Sequence, residues 1–202
     1  MERYRQAPFF LDDRDVRWVE QTFASLTEDE KIGQLFCLIA YGEDEKSIKS
    51  MSDFKPGGVM ARPMPAEENI RLVRRLQENA TVPMLIAANL EKGGNGIAKE
   101  GTFFGSPLQV AATNDPDMAS KMGAICGAEG TALGCNWSFA PIIDIDYNFR
   151  NPITNTRTFG SNPDMVKAMG VEYVKAVQSF DMAAAIKHFP GDGVDERDQH
   201  LA

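Results

Sequence analysis

The stretch KHFPGDGVDERDQH, residues 187–200, contains both histidines of the 202-residue chain. Histidine exchanges protons near neutral pH, because its ordinary pKa is about 6.5. Asp198 stands two residues before His200, and alternate residues of an extended segment project to the same side. Asp198 would therefore orient the His200 ring and favour its protonated form. The pattern suits proton transfer, and a solvated charge cluster on a loop is the alternative.

Lys187 and His188 are neighbours at the end of an apolar run. On a regular strand, adjacent side chains face opposite sides of the sheet. Both would reach one site only if the strand breaks there, and Phe189-Pro190-Gly191 is suited to break it. We predict irregular backbone across residues 187–191, and a cis bond before Pro190 is compatible with it. For Lys187, a surface lysine is the alternative.

Other polar side chains end earlier apolar runs. Asn89 and Glu91 end one of them. Asp144 ends the next, where it serves either as a functional group or to orient a loop. Arg157 carries planar donors that suit hydroxyls or a carboxylate. A salt bridge from Arg157 to Asp144 or Asp146 is an equally weighted alternative to ligand contact.

Five apolar runs predict strands, and helical patterns separate them. The strands are predicted at residues 36–40, 57–61, 84–90, 136–141 and 183–189. Helices are predicted at 12–26, 43–51 and 65–80, from about Asp117 and Asp164, and as a short helix that opens after Thr27. The inward positions are expected to be Val16, Val19, Phe23 and Leu26 in the helix at 12–26 and Ile70, Val73 and Leu76 in the helix at 65–80.

Three helix starts carry capping signals. Thr27 and Glu30 form a capping-box pattern. Asp115 and Asn162 each precede a proline, which is the pattern of an N-cap followed by proline at the first helical position. The two Asx-Pro starts indicate that two successive units begin their helices in a similar way.

Uniformly apolar strands that alternate with helices predict a parallel sheet covered by helices. An open doubly wound sheet and a (β/α)₈ barrel both meet this pattern. The barrel is favoured because polar groups follow the third, fourth and fifth strands alike, and a barrel gathers all strand ends at one mouth. Five units are about two-thirds of an eight-stranded barrel, so residues 1–202 are interpreted as one partial barrel domain, truncated at the C-terminus.

Composition excludes several classes of protein. The 29 acidic and 21 basic residues give a net charge of −8, which argues against nucleic acid and an anionic membrane as partners. The N-terminus lacks the apolar segment of a secretory signal, and no apolar run is long enough to span a membrane. Cys37, Cys126 and Cys135 are expected to be reduced thiols with packing roles in a cytoplasmic protein.

The segments IKHFPGDG…DQH and FAPIIDIDYN…NPITNTRTFGSNPDM, in this order and spacing, resemble family 3 glycoside hydrolases. The likeness is to the bacterial β-N-acetylhexosaminidase branch and covers roughly residues 15–202. The resemblance implies an N-terminal (β/α)₈ barrel that removes terminal non-reducing sugars with retention of configuration. A carbohydrate substrate is then expected, with no cofactor and no metal ion.

The resemblance also implies roles for particular residues. Asp198 and His200 would supply the general acid/base on a mobile loop after the fifth strand. Lys187, His188 and Arg157 would hold sugar hydroxyls.

At the third strand the sequence departs from the family pattern. The family usually has Asp-x-Glu-Gly-Gly followed by an arginine, whereas this chain reads AANLEKGGNG. Asn89 replaces the carboxylate, Glu91 is kept, and one extra residue precedes Gly93 and Gly94. An amide binds hydroxyls more weakly than a carboxylate does, and the arginine is missing, so the identity of the sugar is less certain than the reaction class. Both glycines could serve only to turn the chain.

A retaining glycosidase also needs a nucleophilic carboxylate, which in this family follows a later strand. Asp181, Asp192 and Asp195 do not lie in a matching motif, so this chain alone is expected to be inactive. An open barrel would expose two strand edges, which predicts pairing with another copy or with a missing C-terminal portion. Alternatives are β-glucosidase-like specificity, a non-catalytic carbohydrate-binding or interaction protein, and a metal site at His188 and His200.

Overall fold

A computed structural model describes residues 2–201. Seven α-helices and five β-strands alternate along these residues, with short 3₁₀ helices in the loops. The strands are β1 Cys37–Ala40, β2 Gly58–Ala61, β3 Leu85–Ala88, β4 Trp137–Ser138 and β5 Ala183–Ala184. The helices are α1 Asp13–Ser25, α2 Glu28–Gly33, α3 Glu45–Phe54, α4 Ala66–Glu78, α5 Pro107–Ala111, α6 Pro116–Ala132 and α7 Pro163–Gln178.

The five strands form one sheet in the order β1-β2-β3-β4-β5, and every neighbouring pair is parallel. Crossovers between parallel strands are right-handed, so a sequential order places all connecting helices on the same face. An open doubly wound sheet covers both faces because its strand order reverses. The sequential order is therefore that of a (β/α) barrel, which confirms the predicted fold class.

The predicted elements are all present, but the last strands are shorter than predicted. Strand β4 has two residues where six were expected, and β5 has two where seven were expected. Beyond them the chain leaves the regular ladder, apart from a single bridge between Ile142 and Lys187. The polar residues that follow these strands thus lie on irregular backbone.

The capping predictions are confirmed. Thr27 and Glu30 form a reciprocal capping box at the start of α2. Asp115 accepts a hydrogen bond from the backbone of Asp117, and Asn162 accepts from two backbone amides in the first turn of α7.

Two inward-facing predictions are wrong. Ile70 is 38% exposed, and Asn69 is buried instead, because its amide donates to the backbone carbonyls of Arg62 and Ile97. Phe23 is 60% exposed and lies against the Lys31 ammonium, 4.4 Å from the ring centroid, rather than in the core.

Tyr173 of α7 ties the helical layer to the ends of β3 and β4. It is fully buried, its hydroxyl donates to the Leu90 carbonyl at 2.6 Å, and it lies 3.0 Å from the Ser138 hydroxyl. Burial raises the pKa of Tyr173 well above its usual value. This contact fixes the backbone between Asn89 and Glu91, where the site begins.

The cysteine expectation holds for two of the three thiols. Cys126 and Cys135 are buried, and burial raises their pKa values to about 12 and about 11. Cys37 is exposed at the β1 edge, so a buried packing role is wrong for it, because no strand covers that edge among the described residues. None of the described helices combines the length and apolar character required to cross a membrane.

We expect Leu72→Ala to lower the free energy of unfolding by about 2–5 kcal/mol, because Leu72 is fully buried in α4 and its removal leaves a cavity. Urea denaturation of the chain measures the change. Ile70→Ala in the same helix is the matched control and should cause a clearly smaller loss. Equal losses for the two variants would contradict the observed orientation of α4.

Candidate functional site

The candidate site lies where the strands end, and Glu91 is at its centre. Its carboxylate accepts two hydrogen bonds from Arg157, each 2.9 Å long, and one from the Lys187 ammonium at 2.7 Å. Lys187 also donates to the Asn89 side-chain oxygen at 3.2 Å. Four of the sequence-predicted residues, separated by up to 98 positions, therefore form one network.

The network keeps its members charged. Burial alone would raise the pKa of Glu91, but Arg157 and Lys187 outweigh it and hold that pKa below its usual value. Hydrogen bonding to Glu91 raises the pKa of Arg157. Burial lowers the pKa of Lys187, and the neighbouring Glu91 opposes that change.

The salt-bridge alternative for Arg157 named the wrong partner. Arg157 pairs with Glu91, and its third nitrogen donates to the Ile153 carbonyl at 3.0 Å. Asp144 is unavailable because it is 3% exposed and its side chain is already occupied by other donors.

Asp144 organises the loop after β5. One of its oxygens lies 2.7 Å from the His188 ring nitrogen Nδ1, and the carboxylate also accepts from the His188 backbone amide. The Asp192 amide donates to Asp144 at 2.8 Å. The contact with the Asp144 carboxylate assigns a proton to Nδ1 of His188, because a carboxylate only accepts. Asp144 thus positions other residues, as the loop-orienting interpretation expected.

The prediction of irregular backbone across residues 187–191 is confirmed. Regular pairing ends at Ala184, and the Lys187–His188 and Phe189–Pro190 peptide bonds are both cis. Lys187 reaches Glu91 while His188 reaches Asp144. Regular strand alternation is lost there, and each side chain reaches a buried carboxylate that follows an earlier strand.

Asp198 and His200 form a separate pair on the outer loop. The His200 Nδ1 atom lies 2.7 Å from the Asp198 carboxylate, and 75% of the His200 side chain is exposed. Hydrogen bonds from His200, first from its backbone amide, lower the pKa of Asp198. The pair does not contact the Glu91 network, so the structure brings the predicted site residues together in three groups.

The loop that carries this pair is anchored to the segment after β4. Gln199 donates to Asp192, whose amide is held by Asp144. The carbonyl of Gly193 accepts from the amides of Tyr147 and Asn148. Residues 192–199 therefore lie beside the loop that follows β4.

A cavity of about 290 Å³ opens beside Glu91, at the lower end of the range for small-molecule sites, ~300–1,000 Å³. Its lining residues are Met60, Arg62, Pro63, Asn89, Glu91, Lys92, Asn95, Gly96 and Arg157. Sequence reasoning missed Arg62, Lys92 and Asn95. The signal for Arg62 was available, since it directly follows β2 as Asn89 follows β3.

Gly93 is required for the turn that shapes the cavity. Its φ is 131°, and a Cβ atom there would lie 2.0 Å from the Thr102 carbonyl oxygen. A Cβ atom at Gly94 would meet the Glu129 side chain, which accepts from the Thr102 amide at 2.8 Å. The two glycines allow the loop after β3 to fold back closely on itself and on α6.

We expect Glu91→Gln to lower the free energy of unfolding at neutral pH by about 2–4 kcal/mol, because it leaves Arg157 and Lys187 partly buried without a counter-charge. The lowered pKa of Glu91 means that its contribution is present above about pH 4.5 and is lost as the pH falls. Urea denaturation at several pH values measures both effects. The part of the free energy of unfolding that is lost at acid pH should be missing in the variant.

The control is Glu43→Gln, which breaks a bidentate pair with Arg71 on the surface. Solvent screens that pair, so the variant should be much less destabilised. A Glu91→Gln protein as stable as Glu43→Gln, with an unchanged pH profile, would show that the buried network does not hold the strand ends together.

Comparison with known proteins agrees with this architecture. The glycosyl hydrolase family 3 N-terminal domain matches residues 27–202. The chain is 53% identical over 196 residues to a β-N-acetylglucosaminidase/β-glucosidase of Cellulomonas fimi, covering 96% of this chain and 35% of that protein. It is 34% identical over 131 residues to β-hexosaminidase A of Pseudoalteromonas piscicida, covering 61% of this chain and 22% of that protein.

Solved structures agree as well. The structure of the β-glucoside phosphorylase BglX bound to 2FGlc superposes with a TM-score of 0.92 at 45% identity, covering 97% of this chain and 36% of that one. A family 3 β-N-acetylglucosaminidase from Paenibacillus sp. str. FPU-7 gives a TM-score of 0.80 at 29% identity, covering 87% of this chain and 35% of that one. The chain thus spans about a third of the length of these proteins. Because the family match runs from residue 27 to residue 202, the chain belongs to glycosyl hydrolase family 3.

Proposed function

We propose that this chain is the barrel portion of a retaining β-N-acetylhexosaminidase, which removes terminal non-reducing N-acetylhexosamine residues. The observation that carries the proposal is the Asp198–His200 pair, with a 2.7 Å contact, on a loop anchored beside the strand ends. The names of the Cellulomonas, Pseudoalteromonas and Paenibacillus relatives support the same activity.

The proposed proton transfer begins at His200. Its Nδ1 atom is held by Asp198, which leaves Nε2 to protonate the departing glycosidic oxygen and to recover the proton from the incoming water. The His200 ring is exposed, and the proposed mechanism requires the loop to close over the sugar when the substrate binds. The anchor at Asp192 keeps the loop close enough for that movement.

The Glu91 network is proposed to hold the sugar hydroxyls. A carboxylate accepts about four hydrogen bonds and an ammonium donates three, and the network uses three at Glu91 and two at Lys187. One acceptor site on Glu91 and one donor on Lys187 are left for substrate. Asn89 and Nε2 of His188 add further polar contacts at the same end of the sheet.

We expect His200→Ala to lower kcat/KM for a glycoside with a poor leaving group by about 10²–10⁴-fold, because the departing oxygen loses its acid catalyst. The assay uses the protein expressed from its complete reading frame. For an aryl glycoside with a strongly acidic phenol, kcat/KM should fall far less, since its leaving group needs no protonation.

Arg197→Gln is the control on the same loop, because Arg197 is exposed and, among the described residues, pairs with Asp195. This variant should have an unchanged kcat/KM for both substrates. If His200→Ala lowers kcat/KM equally for the two substrates, His200 has a structural role and the proposed acid catalysis is refuted.

The nucleophile is proposed to lie outside residues 1–202. Asp192 lies on the loop after β5, but its amide and side chain are engaged in holding that loop. We therefore expect the purified 202-residue chain to show no turnover of an aryl β-N-acetylglucosaminide. A continuous assay of phenol release measures it, and turnover that co-purifies with this chain would contradict the assignment.

Two other activities have specific support. The Cellulomonas relative is named for β-glucosidase as well as β-N-acetylglucosaminidase activity, so a sugar without the acetamido group is an alternative substrate. The β-glucoside phosphorylase structure supports transfer to phosphate instead of water. Product analysis in phosphate buffer separates transfer to phosphate from hydrolysis, since the first yields a sugar 1-phosphate and the second yields the free sugar.

The exposed strand edges are proposed to be covered in the assembled protein. Strand β1 has no neighbour on one side and β5 none on the other, among residues 2–201. An uncovered edge carries unpaired backbone donors and acceptors. Later units of a longer chain or a second copy would satisfy them.

A further inference from the structure

Two asparagines of the loop after β4 bind the backbone of the acid/base loop, residues 192–200. The Asn151 amide donates to the Asp192 carbonyl, and the Asn148 amide donates to the Val194 carbonyl at 3.0 Å. Both bonds reach main-chain atoms of the acid/base loop, so they fix its path and do not depend on its side chains.

The carbonyl between these two is also bound. The Gly193 carbonyl accepts from the backbone amides of Tyr147 and Asn148 at 3.1 Å and 3.0 Å. Three successive carbonyls, at residues 192–194, are therefore each held by the loop after β4. Residues 192–194 form the anchored segment of the acid/base loop.

Beyond residue 194 the contacts are of a different kind. The ion pairs of Arg197 and His200 are with aspartates of the same loop. Arg150 lies 3.5 Å from Glu196, but both side chains are exposed, and such pairs contribute little. The position of the imidazole is thus set mainly through the anchored segment, from which residues 195–200 extend.

Asn151 also connects the anchored segment to the Glu91 network. Its Oδ1 atom accepts from the backbone amides of Ile153 and Thr154, each at 2.8 Å. The Thr154 carbonyl accepts from the Arg157 amide at 2.7 Å, and the Ile153 carbonyl accepts from the Arg157 guanidinium at 3.0 Å. Asn151 is fully buried. One side chain therefore sets the spacing between the acid/base loop and the arginine that binds Glu91.

We propose that Asn151 and Asn148 are positioning residues for acid catalysis, which hold the anchored segment so that His200 reaches the glycosidic oxygen in the geometry of proton transfer. A general acid must come within hydrogen-bond reach of the atom that it protonates. A misplacement of about 1 Å, caused away from the reacting atoms, can lower the rate by about a hundredfold. The inference rests on the proposed function, because it takes His200 as the proton donor.

The test uses Asn151→Asp and Asn148→Asp in the protein expressed from its complete reading frame. A carboxylate keeps the acceptor oxygen of each side chain but cannot donate to a carbonyl. For a glycoside with a poor leaving group, kcat/KM should fall by about ten- to a hundredfold in Asn151→Asp, and by less in the half-buried Asn148→Asp. For an aryl glycoside with a strongly acidic phenol, kcat/KM should fall by less than about threefold in both variants.

Trypsin cleavage after Arg197 reports on the acid/base loop without any turnover, because a protease cuts backbone that opens locally. The rate of this cleavage should rise roughly three- to tenfold in both variants, while cleavage outside the two loops stays unchanged. If Asn151→Asp does not fold, cleavage will be faster throughout the chain. Asn148→Asp then decides by the same two measurements.

Asn162→Asp is the matched control. The Asn162 Oδ1 atom also accepts from two backbone amides, at the start of α7, and among the described residues its amide donates no hydrogen bond. Aspartate caps a helix as well as asparagine does. This variant adds the same charge and should change neither kcat/KM nor the cleavage rate.

The positioning role is overturned if kcat/KM falls equally for the two substrates, or if cleavage after Arg197 is no faster than in Asn162→Asp. A leaving-group effect that is present in His200→Ala but missing in the asparagine variants also overturns it, and leaves the proposed function intact. Absence of the effect in His200→Ala itself refutes the proposed function and this inference with it.

Discussion

The site depends on the carboxylate of Glu91. It joins groups that follow three different strands, because Arg157 comes from the loop after β4 and Lys187 from the end of β5. A carboxylate with 9% exposure is stable in its charged form only when cations compensate for the lost water. The two cations in turn are held in place by that single acceptor. The position of each group therefore requires the other two.

A second buried carboxylate acts in the same way on the loop after β5. Asp144 holds His188 and the Asp192 amide, and through Asp192 it restrains the loop that ends in Asp198 and His200. The two carboxylates, Glu91 and Asp144, differ in what they restrain. Glu91 fixes the side chains of Arg157 and Lys187, whereas Asp144 fixes the His188 ring and the backbone amides of His188 and Asp192.

The extent of sequence-based prediction can be judged from particular elements. The five strands, the two Asx-Pro helix starts and the break after Lys187 were predictable, because each depends on residues close together in sequence. The burial of Asn69 in place of Ile70 in α4 was not, since Asn69 donates to carbonyls of Arg62 and Ile97 that only the fold brings near. The role of Arg62 was missed although Arg62 directly follows β2, because its position alone does not show which strand ends line the same cavity.

The sequence by itself determined which chemical groups are present and where helices and strands begin. It also predicted that groups at successive strand ends share one end of a parallel sheet. Only the tertiary structure decided which of them pair. Arg157 contacts Glu91, 66 residues away, and not the nearer Asp144 or Asp146. The physical reason is competition for buried partners: Asp144 is taken by His188 and Asp192, and the outcome depends on distances that no local pattern encodes.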